Sequence, residues 1–196
     1  MDKGKARRKP SILSLLVLII AVVAGVTSVA SIFLFVRYQT HTARALMDSK
    51  LLTAAEFARE VLGVDYHDRI VDATSVPKAE FDRIVTKNDD LCRRLDLQYL
   101  WSVLVVGDRV VFTSATHSDL HDPNSPCASF FEEHRDPGSF AAALQPELKP
   151  SFSSFRNEWG EGRQVLIPRT DAHGRTYVFG ASVQLAELNA MLREMI

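Results

Sequence analysis

The sequence lacks the features that mark several common classes of protein. Its net charge is only -1, and its basic excess is confined to the first residues, which argues against a nucleic-acid-binding protein. It has no HExxH motif of zinc proteases and no GxSxG nucleophile elbow. It has two cysteines among 196 residues, so at most one intramolecular disulfide can form. With 46% hydrophobic and 24% charged residues, the chain is predicted to form one globular domain plus an appendage.

Charge is also absent from one long segment, Ser11 to Val36. As a helix this segment would be about 39 Å long, which exceeds the roughly 30 Å hydrocarbon core of a bilayer. A secretory signal peptide is the main alternative, because small residues at Thr27 to Ser31 could form a cleavage site. The apolar run continues to Val36, beyond that site, and therefore favours an uncleaved membrane anchor over residues 11–36.

Basic residues are unevenly distributed around this anchor. Residues 1–10 carry five Lys and Arg residues, whereas only Arg37 and Arg44 follow closely on the other side. The positive-inside rule therefore predicts a cytoplasmic tail at 1–10 and a single-pass protein of the inner membrane. Everything after the anchor is then expected to be periplasmic or otherwise extracytoplasmic.

The segment that follows the anchor, residues 37–63, is predicted to be a long helix. It has no Gly or Pro from Tyr38 to Leu62, and Gly63 is placed to end it. Apolar residues recur at heptad spacing: Met47, Leu51, Ala54, Ala58 and Val61. This seam has two interpretations, packing against the chain's own domain or a parallel homodimer through residues 38–62, and both can hold together.

Residues 64–185 are predicted to form an α+β domain. A helix starts near Pro77, and two strands, Leu97–Val106 and Arg109–Ala115, flank the two-residue turn Gly107-Asp108. This hairpin would pair Val106 with Arg109, Trp101 with Ser114, and Ser102 with Thr113. A long connection over residues 116–150 follows, with short helices expected at 127–134 and 139–144.

Three further strands are expected near the C-terminus, separated by the turns GEG and DAHG, at Phe152–Trp159, Arg163–Thr170 and Arg175–Val183. Tight turns would place Trp159 opposite Arg163 and Asn157 opposite Val165. A C-terminal helix over residues 186–196 is expected to end the chain.

Two stretches, DRVVFTSATHSD at 108–119 and NEWGEGRQVLIPRTDAHGRTYVFGASVQL at 157–185, together with the order of elements, resemble a known family. It comprises the extracytoplasmic PAS-like sensor domains, of the single Cache or PDC type, of bacterial transmembrane receptors. The resemblance implies a five-stranded antiparallel sheet flanked by helices, with the long helix behind it. It also implies that the connection after the second strand covers a small-molecule pocket.

The resemblance further implies a function for the chain. Ligand binding would move the membrane helix and pass a signal to a histidine kinase, diguanylate cyclase or chemoreceptor transmitter of the two-component type. Such a transmitter would lie beyond Ile196, so this chain is not expected to be an enzyme or to need a cofactor. If the gene ends at Ile196, an accessory role without enzymatic activity is the preferred interpretation.

The stretch THSDLHD at 116–122 is the strongest candidate for a chemical site. His117 and His121 are four residues apart, so on a helix they would share a face and could bind a metal or act in a hydrolase. The stretch instead follows a predicted strand and precedes Pro123 in a loop-like sequence. We therefore expect a loop at the mouth of the pocket, in which His117 alone contacts the ligand.

The remaining site residues follow from the predicted strands. An arginine fork would suit a carboxylate ligand, and Arg163 is preferred over Arg156 because strand alternation is expected to place the two on opposite faces. Cys92 and Cys127 either form a disulfide between helix and connection or remain free thiols. The full set of expected ligand-binding residues is Trp101, Thr113, His117, Trp159, Arg163 and Tyr177.

Overall fold

A computed structural model describes residues 11–157 and 160–186. The basic tail at 1–10, Trp159 and all but the start of the predicted C-terminal helix lie outside the described residues. The helices are α1 (Ile12–Leu62) and α2 (Lys78–Leu95). The strands are β1 (Tyr99–Val106), β2 (Arg109–Ser114), β3 (Ser151–Asn157), β4 (Gly160–Thr170) and β5 (Thr176–Gln184).

Helix α1 joins the predicted anchor and the predicted juxtamembrane helix into one element of 51 residues. The side chain of Ser11 accepts a hydrogen bond from the Ser14 N–H at its start, and the Gly63 N–H donates to the Arg59 carbonyl at its end. The apolar residues of its first half, from Ile12 to Phe35, are exposed. Within the described part of the chain, α1 is the one helix long and apolar enough to cross a membrane.

The five strands form one antiparallel sheet, as the family resemblance implied, and their order is β2-β1-β5-β4-β3. The second half of α1 packs on one face of this sheet. Met47, Leu51, Ala54 and Ala58, four residues of the predicted heptad seam, are each at most 2% exposed. They join the main core with Leu100, Val165 and Phe179 of the sheet. The seam is therefore occupied by the chain's own domain.

The β1–β2 hairpin confirms the predicted turn but not the whole predicted register. Val106 pairs with Arg109 across Gly107, whose φ of 65° is one that glycine adopts readily. A bulge between Ser102 and Val103 then shifts the pairing, so that Ser102 and not Trp101 lies opposite Ser114. An extra residue on one strand turns the side chains beyond it toward the other face of the sheet.

The β3–β4 register also differs from the predicted one. Arg163 lies opposite Ser154, where Trp159 was expected, and Asn157 pairs with Gly160 instead of Val165. The strands therefore continue closer to the turn than the sequence indicated. Since the shift of five residues is an odd number, it moves every side chain of β3 to the other face relative to β4.

The connection between β2 and β3 contains no α-helix, contrary to the two short helices expected there. Residues 131–134 instead run along the open edge of β2: the Phe131 and His134 N–H groups donate to the Phe112 and Val110 carbonyls. A 3-10 turn at Pro137–Phe140 follows. The connection therefore satisfies a sheet edge that would otherwise be unpaired, and it folds over the face of the sheet opposite α1.

Candidate functional site

A cavity of about 310 Å³ lies between the sheet and the connection, on the face of the sheet opposite α1. Its lining is mainly aromatic on the strand side and polar on the connection side. The lining residues are Tyr99, Trp101, Phe112, Ala115, Thr116, Ala128, His134, Asp136, Ser139, Phe155, Arg156, Gln164 and Ser182.

The floor of the cavity depends on two glycines in the sheet. Trp101 pairs with Gly180, and a Cβ atom added at position 180 would lie 2.2 Å from Cε2 of the Trp101 indole. Phe155 pairs with Gly162, where a Cβ atom would lie 2.8 Å from the phenyl Cζ. A side chain at Gly180 or Gly162 would fill the space that the two rings occupy. The glycines therefore let the rings lie close to the backbone of the sheet.

A polar row crosses the sheet between these two rings. Tyr99, Ser182, Gln164 and Ser153 are successive neighbours across β1, β5, β4 and β3. The Gln164 Nε2 donates to Ser153 Oγ at 3.2 Å. The Ser182 Oγ is fully buried and has no hydrogen-bond partner among the described residues. A buried hydroxyl without a partner is costly, and a bound ligand could satisfy it.

The connection contributes His134 and Asp136. The Asp136 N–H donates to His134 Nδ1 at 3.1 Å. The ring also makes an edge contact with Phe140, at 4.9 Å between centroids, and lies 5.2 Å from that of Phe112. These contacts orient the imidazole on the cavity wall.

Among the expected ligand-binding residues, Trp101 lines the cavity, whereas Thr113 and Tyr177 lie on the α1 face of the sheet. Thr113 Oγ1 is 3.0 Å from His67 Nε2 and 2.8 Å from Ser102 Oγ, and His67 stacks on Tyr177 at 4.0 Å. All of these side chains are buried. Burial lowers the pKa of His67 to about 3, an effect that Asp171 and Asp68 oppose. This cluster belongs to the core.

Arg163 also lies on the α1 face. It makes a two-pronged contact with Asp48 of α1, with its Nε and Nη2 at 2.5 and 2.7 Å from the carboxylate oxygens. The hydrogen bond to Asp48 raises the pKa of Arg163 above its ordinary value. The observed register places Arg156 on this same face, contrary to our expectation, because Arg156 pairs with Glu161 and Arg163 with Ser154. Arg163 therefore docks α1 on the sheet.

His117 does not line the cavity either. Its backbone N–H donates to Asp89 Oδ1 at 2.9 Å and its Nδ1 to Asp89 Oδ2 at 2.7 Å. Asn88 next to Asp89 donates to the Ala115 carbonyl at 3.1 Å. The start of the connection is thus held by two neighbouring polar residues of α2.

The rest of THSDLHD forms turns, not a helix. The Asp119 side chain accepts from the His121 N–H at 2.9 Å, and the Asp122 side chain accepts from the Asn124 N–H at the same distance. His117 and His121 therefore share no helical face. Among residues 11–157 and 160–186, no group of three or more His, Cys, Asp or Glu side chains is arranged to hold a metal ion.

The two cysteines are free thiols in the structure, which is one of the two alternatives that the sequence left open. Cys92 is buried on α2 and Cys127 is half-buried in the connection. Burial raises the pKa of both thiols, that of Cys127 to about 12.

Sequence reasoning missed most of the cavity and the anchor of His117. Tyr99 could have been found, because it is two residues from Trp101 and therefore shares its face of β1. Asp89 could have been found as well, because it shares one face of the predicted helix with the apolar residues Val85 and Cys92. A carboxylate buried on such a face needs a hydrogen-bond partner. His134 and Asp136 had no such signal, since they lie in a connection without a regular pattern.

Solved structures with the same fold are sensory domains of a chemoreceptor. The ligand-binding domain of the Campylobacter jejuni chemoreceptor Tlp3 in complex with 4-methylisoleucine superposes with a TM-score of 0.52 at 7% identity, over 78% of this chain and 57% of that one. The same domain in complex with L-valine gives 0.52 at 8% identity, over 80% and 60%. No family model and no curated protein matches the sequence.

These likenesses define the class of fold. The chain has the PAS-like fold of extracytoplasmic sensory domains, with a long N-terminal helix behind a five-stranded antiparallel sheet, as its sequence resemblance implied. It spans about 57–60% of the length of the chemoreceptor domains it matches. At identities of 7–8% the likeness concerns the fold and carries no residue-level correspondence.

Proposed function

We propose that this chain is the membrane-anchored, extracytoplasmic input module of a bacterial signal-transduction receptor. A small molecule binds in the cavity, and the sheet transmits the change to α1. The observation that carries the proposal is the position of α1. One uninterrupted helix joins the apolar segment Ile12–Phe35 to residues packed on the sheet that forms the floor of the cavity.

The contacts between α1 and the sheet support this mechanism. Met47, Leu51 and Ala54 pack into the core behind the strands, and Asp48 is bound by Arg163 of β4. Gln164, next in sequence to Arg163, lines the cavity on the other face. A ligand that displaces β4 therefore acts on the same strand that holds α1, and a stiff helix of about 76 Å would carry the displacement toward the membrane.

We further propose that the helix spans the inner membrane with its N-terminus in the cytoplasm. The supporting observations are the exposed apolar first half of α1, whose most apolar 18 residues have a mean hydropathy of 2.8, and the basic residues that precede it. The output belongs to a transmitter of the histidine kinase, diguanylate cyclase or chemoreceptor type. The module itself is proposed to be non-enzymatic.

A homodimer through α1 remains part of the proposal, but with a different contact face. The seam at Met47, Leu51 and Ala54 is buried against the sheet. Leu46 and Phe57 are 59% and 52% exposed on a neighbouring face of the helix, and a parallel partner would have to bury these residues.

The size of the cavity suits a ligand with about the volume of an amino acid. The similar chemoreceptor domains were solved in complex with 4-methylisoleucine and L-valine, and these ligands support the expectation of a carboxylate group. Arg163, on which that expectation relied, contacts Asp48 and lies across the sheet from the cavity.

A thermal-shift screen of the full chain in lipid nanodiscs tests the proposal. Amino acids, amines and organic acids are added in turn, and the sensor function predicts that at least one raises the melting temperature. Trp101→Ala should abolish this stabilisation, whereas Phe57→Ala, a change of similar size outside the cavity, should retain it. The proposal is rejected if no compound stabilises the chain, or if both variants respond like the parent.

A further inference from the structure

We infer that the ligand of the cavity carries an organic ammonium group, a primary or methylated amine, which lies against the Trp101 ring with Asp136 as its counter-ion. This inference rests on the proposed sensor function and adds the chemical class of the ligand. It follows from the charges of the lining residues, from their hydrogen-bonding groups, and from the aromatic rings around them.

The charge balance of the lining favours a cation. Among the described residues of the lining, Arg156 and Asp136 carry a full charge, and His134 Nδ1 accepts a hydrogen bond from the Asp136 N–H. The register places Arg156 on the α1 face of β3, and its side chain is 79% exposed and paired with Glu161 at 2.5 Å. Asp136 forms no ion pair with any described residue, and Arg135 beside it is not part of the lining. Among the described lining residues, Asp136, whose side chain is exposed, is thus the charged group without an opposite charge beside it.

The neutral groups on the floor can accept hydrogen bonds from a cation. Gln164 uses its Nε2 to donate to Ser153, so its carbonyl oxygen remains as an acceptor. The Ser182 hydroxyl is buried without a partner among the described residues and can also accept. Among the described residues of this floor no lysine or arginine side chain faces a ligand carboxylate, because the register places Arg156 on the α1 face. An ammonium group could donate to both oxygens.

The rings around these groups complete the arrangement. Tyr99, Trp101, Phe112 and Phe155 all line the cavity, and the face of an aromatic ring attracts a cation, most strongly for tryptophan. The absence of a side chain at Gly180 leaves room for the Trp101 ring on β5, two residues from Ser182, which pairs with Tyr99. Aromatic faces together with one carboxylate are the groups that recognise ammonium compounds, and the same rings would cover the ligand's apolar substituent.

Three compounds with the same sec-butyl group separate the effect of the ammonium group from that of the carboxylate. They are isoleucine, 2-methylbutylamine, which lacks the carboxylate, and 3-methylpentanoate, which lacks the amine. Their affinities for the full chain in nanodiscs are measured by isothermal titration calorimetry. We expect 2-methylbutylamine and isoleucine to bind, and 3-methylpentanoate to bind at least about tenfold more weakly. Asp136→Asn should weaken the amine about tenfold or more, whereas Glu147→Gln, in the same connection but outside the lining, should have no effect.

The outcomes distinguish this inference from the sensor function. If 3-methylpentanoate binds more tightly than the amine and Trp101→Ala abolishes its binding, the ammonium assignment is wrong and the sensor function stands. Full amine affinity in Asp136→Asn, or no amine binding to the parent chain, also overturns the assignment. The sensor function fails if no compound of the thermal-shift screen stabilises the chain, or if Trp101→Ala and Phe57→Ala both respond like the parent.

Discussion

The indole of Trp101 occupies the space that a side chain at Gly180 would fill, with a Cβ position only 2.2 Å from Cε2. The two residues pair across β1 and β5, so the ring cannot move away without leaving the floor of the cavity. This pair sets the depth of the cavity. Gly180, which has no side chain, is therefore a direct target for mutation.

Gly180→Ala should lower the free energy of unfolding by about 1–3 kcal/mol, because the added methyl group overlaps the indole. Urea unfolding of the full chain in detergent measures this loss, and ligand stabilisation should disappear with it. In a Trp101→Ala background the same substitution should cost much less, since the clash is gone. Equal losses in both backgrounds would show that the indole is not the cause.

Arg163→Gln and Asp48→Asn should each lower the free energy of unfolding by about 1 kcal/mol, since the pair is only partly shielded from water. The double variant should lose little more than either single one, as expected for partners in one interaction. Arg156→Gln, whose side chain is 79% exposed, is the matched control and should have no measurable effect. Weaker ligand binding in Arg163→Gln but not in Asp48→Asn would instead support a direct role in the site.

Asp89→Asn should loosen the start of the connection, because it removes the charged acceptor of both hydrogen bonds to His117. We expect a loss of about 1–3 kcal/mol in stability and faster amide exchange at residues 117–126. Asp90→Asn is the neighbouring control, since its ion pairs with Arg93 and Arg94 are exposed. Unchanged exchange in Asp89→Asn would mean that other contacts hold the connection.

Acid should destabilise the domain through His67. Its folded-state pKa of about 3 lies below the ordinary value of 6.5, so the unfolded chain binds the proton more readily between these values. Stability contributed by this residue is present above pH 6.5 and falls by on the order of 1 kcal/mol per pH unit as the pH drops toward 3. His67→Gln should flatten the slope of unfolding free energy against pH. His121→Gln, in an exposed turn, should leave the slope unchanged, and a full slope in His67→Gln would assign it to other groups.

Both cysteines should titrate as free thiols in the unfolded chain prepared without reductant. In the folded chain, alkylation at pH 8 should be slow at both, because burial raises the pKa of each thiol and leaves little thiolate. Mass spectrometry of the alkylated chain counts the modified sites. An unlabelled pair after denaturation would show that the disulfide forms.

The sequence by itself determined the elements whose signals are local. The apolar run from Ser11, the helix to Leu62 ended by Gly63, α2 after Pro77 and the turn at Gly107 each depend on residues within a few positions of one another. The heptad spacing also identified which side of α1 is buried. It could not say whether the partner is another chain or the chain's own sheet, since both bury the same residues.

Only the tertiary structure decided which side chains line the cavity. Strand alternation divides the residues of each strand into two sets, one for each face of the sheet. The pairing between strands decides which sets share a face, and a register shift by an odd number of residues exchanges the two sets. The β3–β4 register made that decision for Phe155, which pairs with Gly162 and lines the cavity. His134 and Asp136 reach the site through a connection that pairs with the edge of β2, and their contacts come from packing between segments distant in sequence.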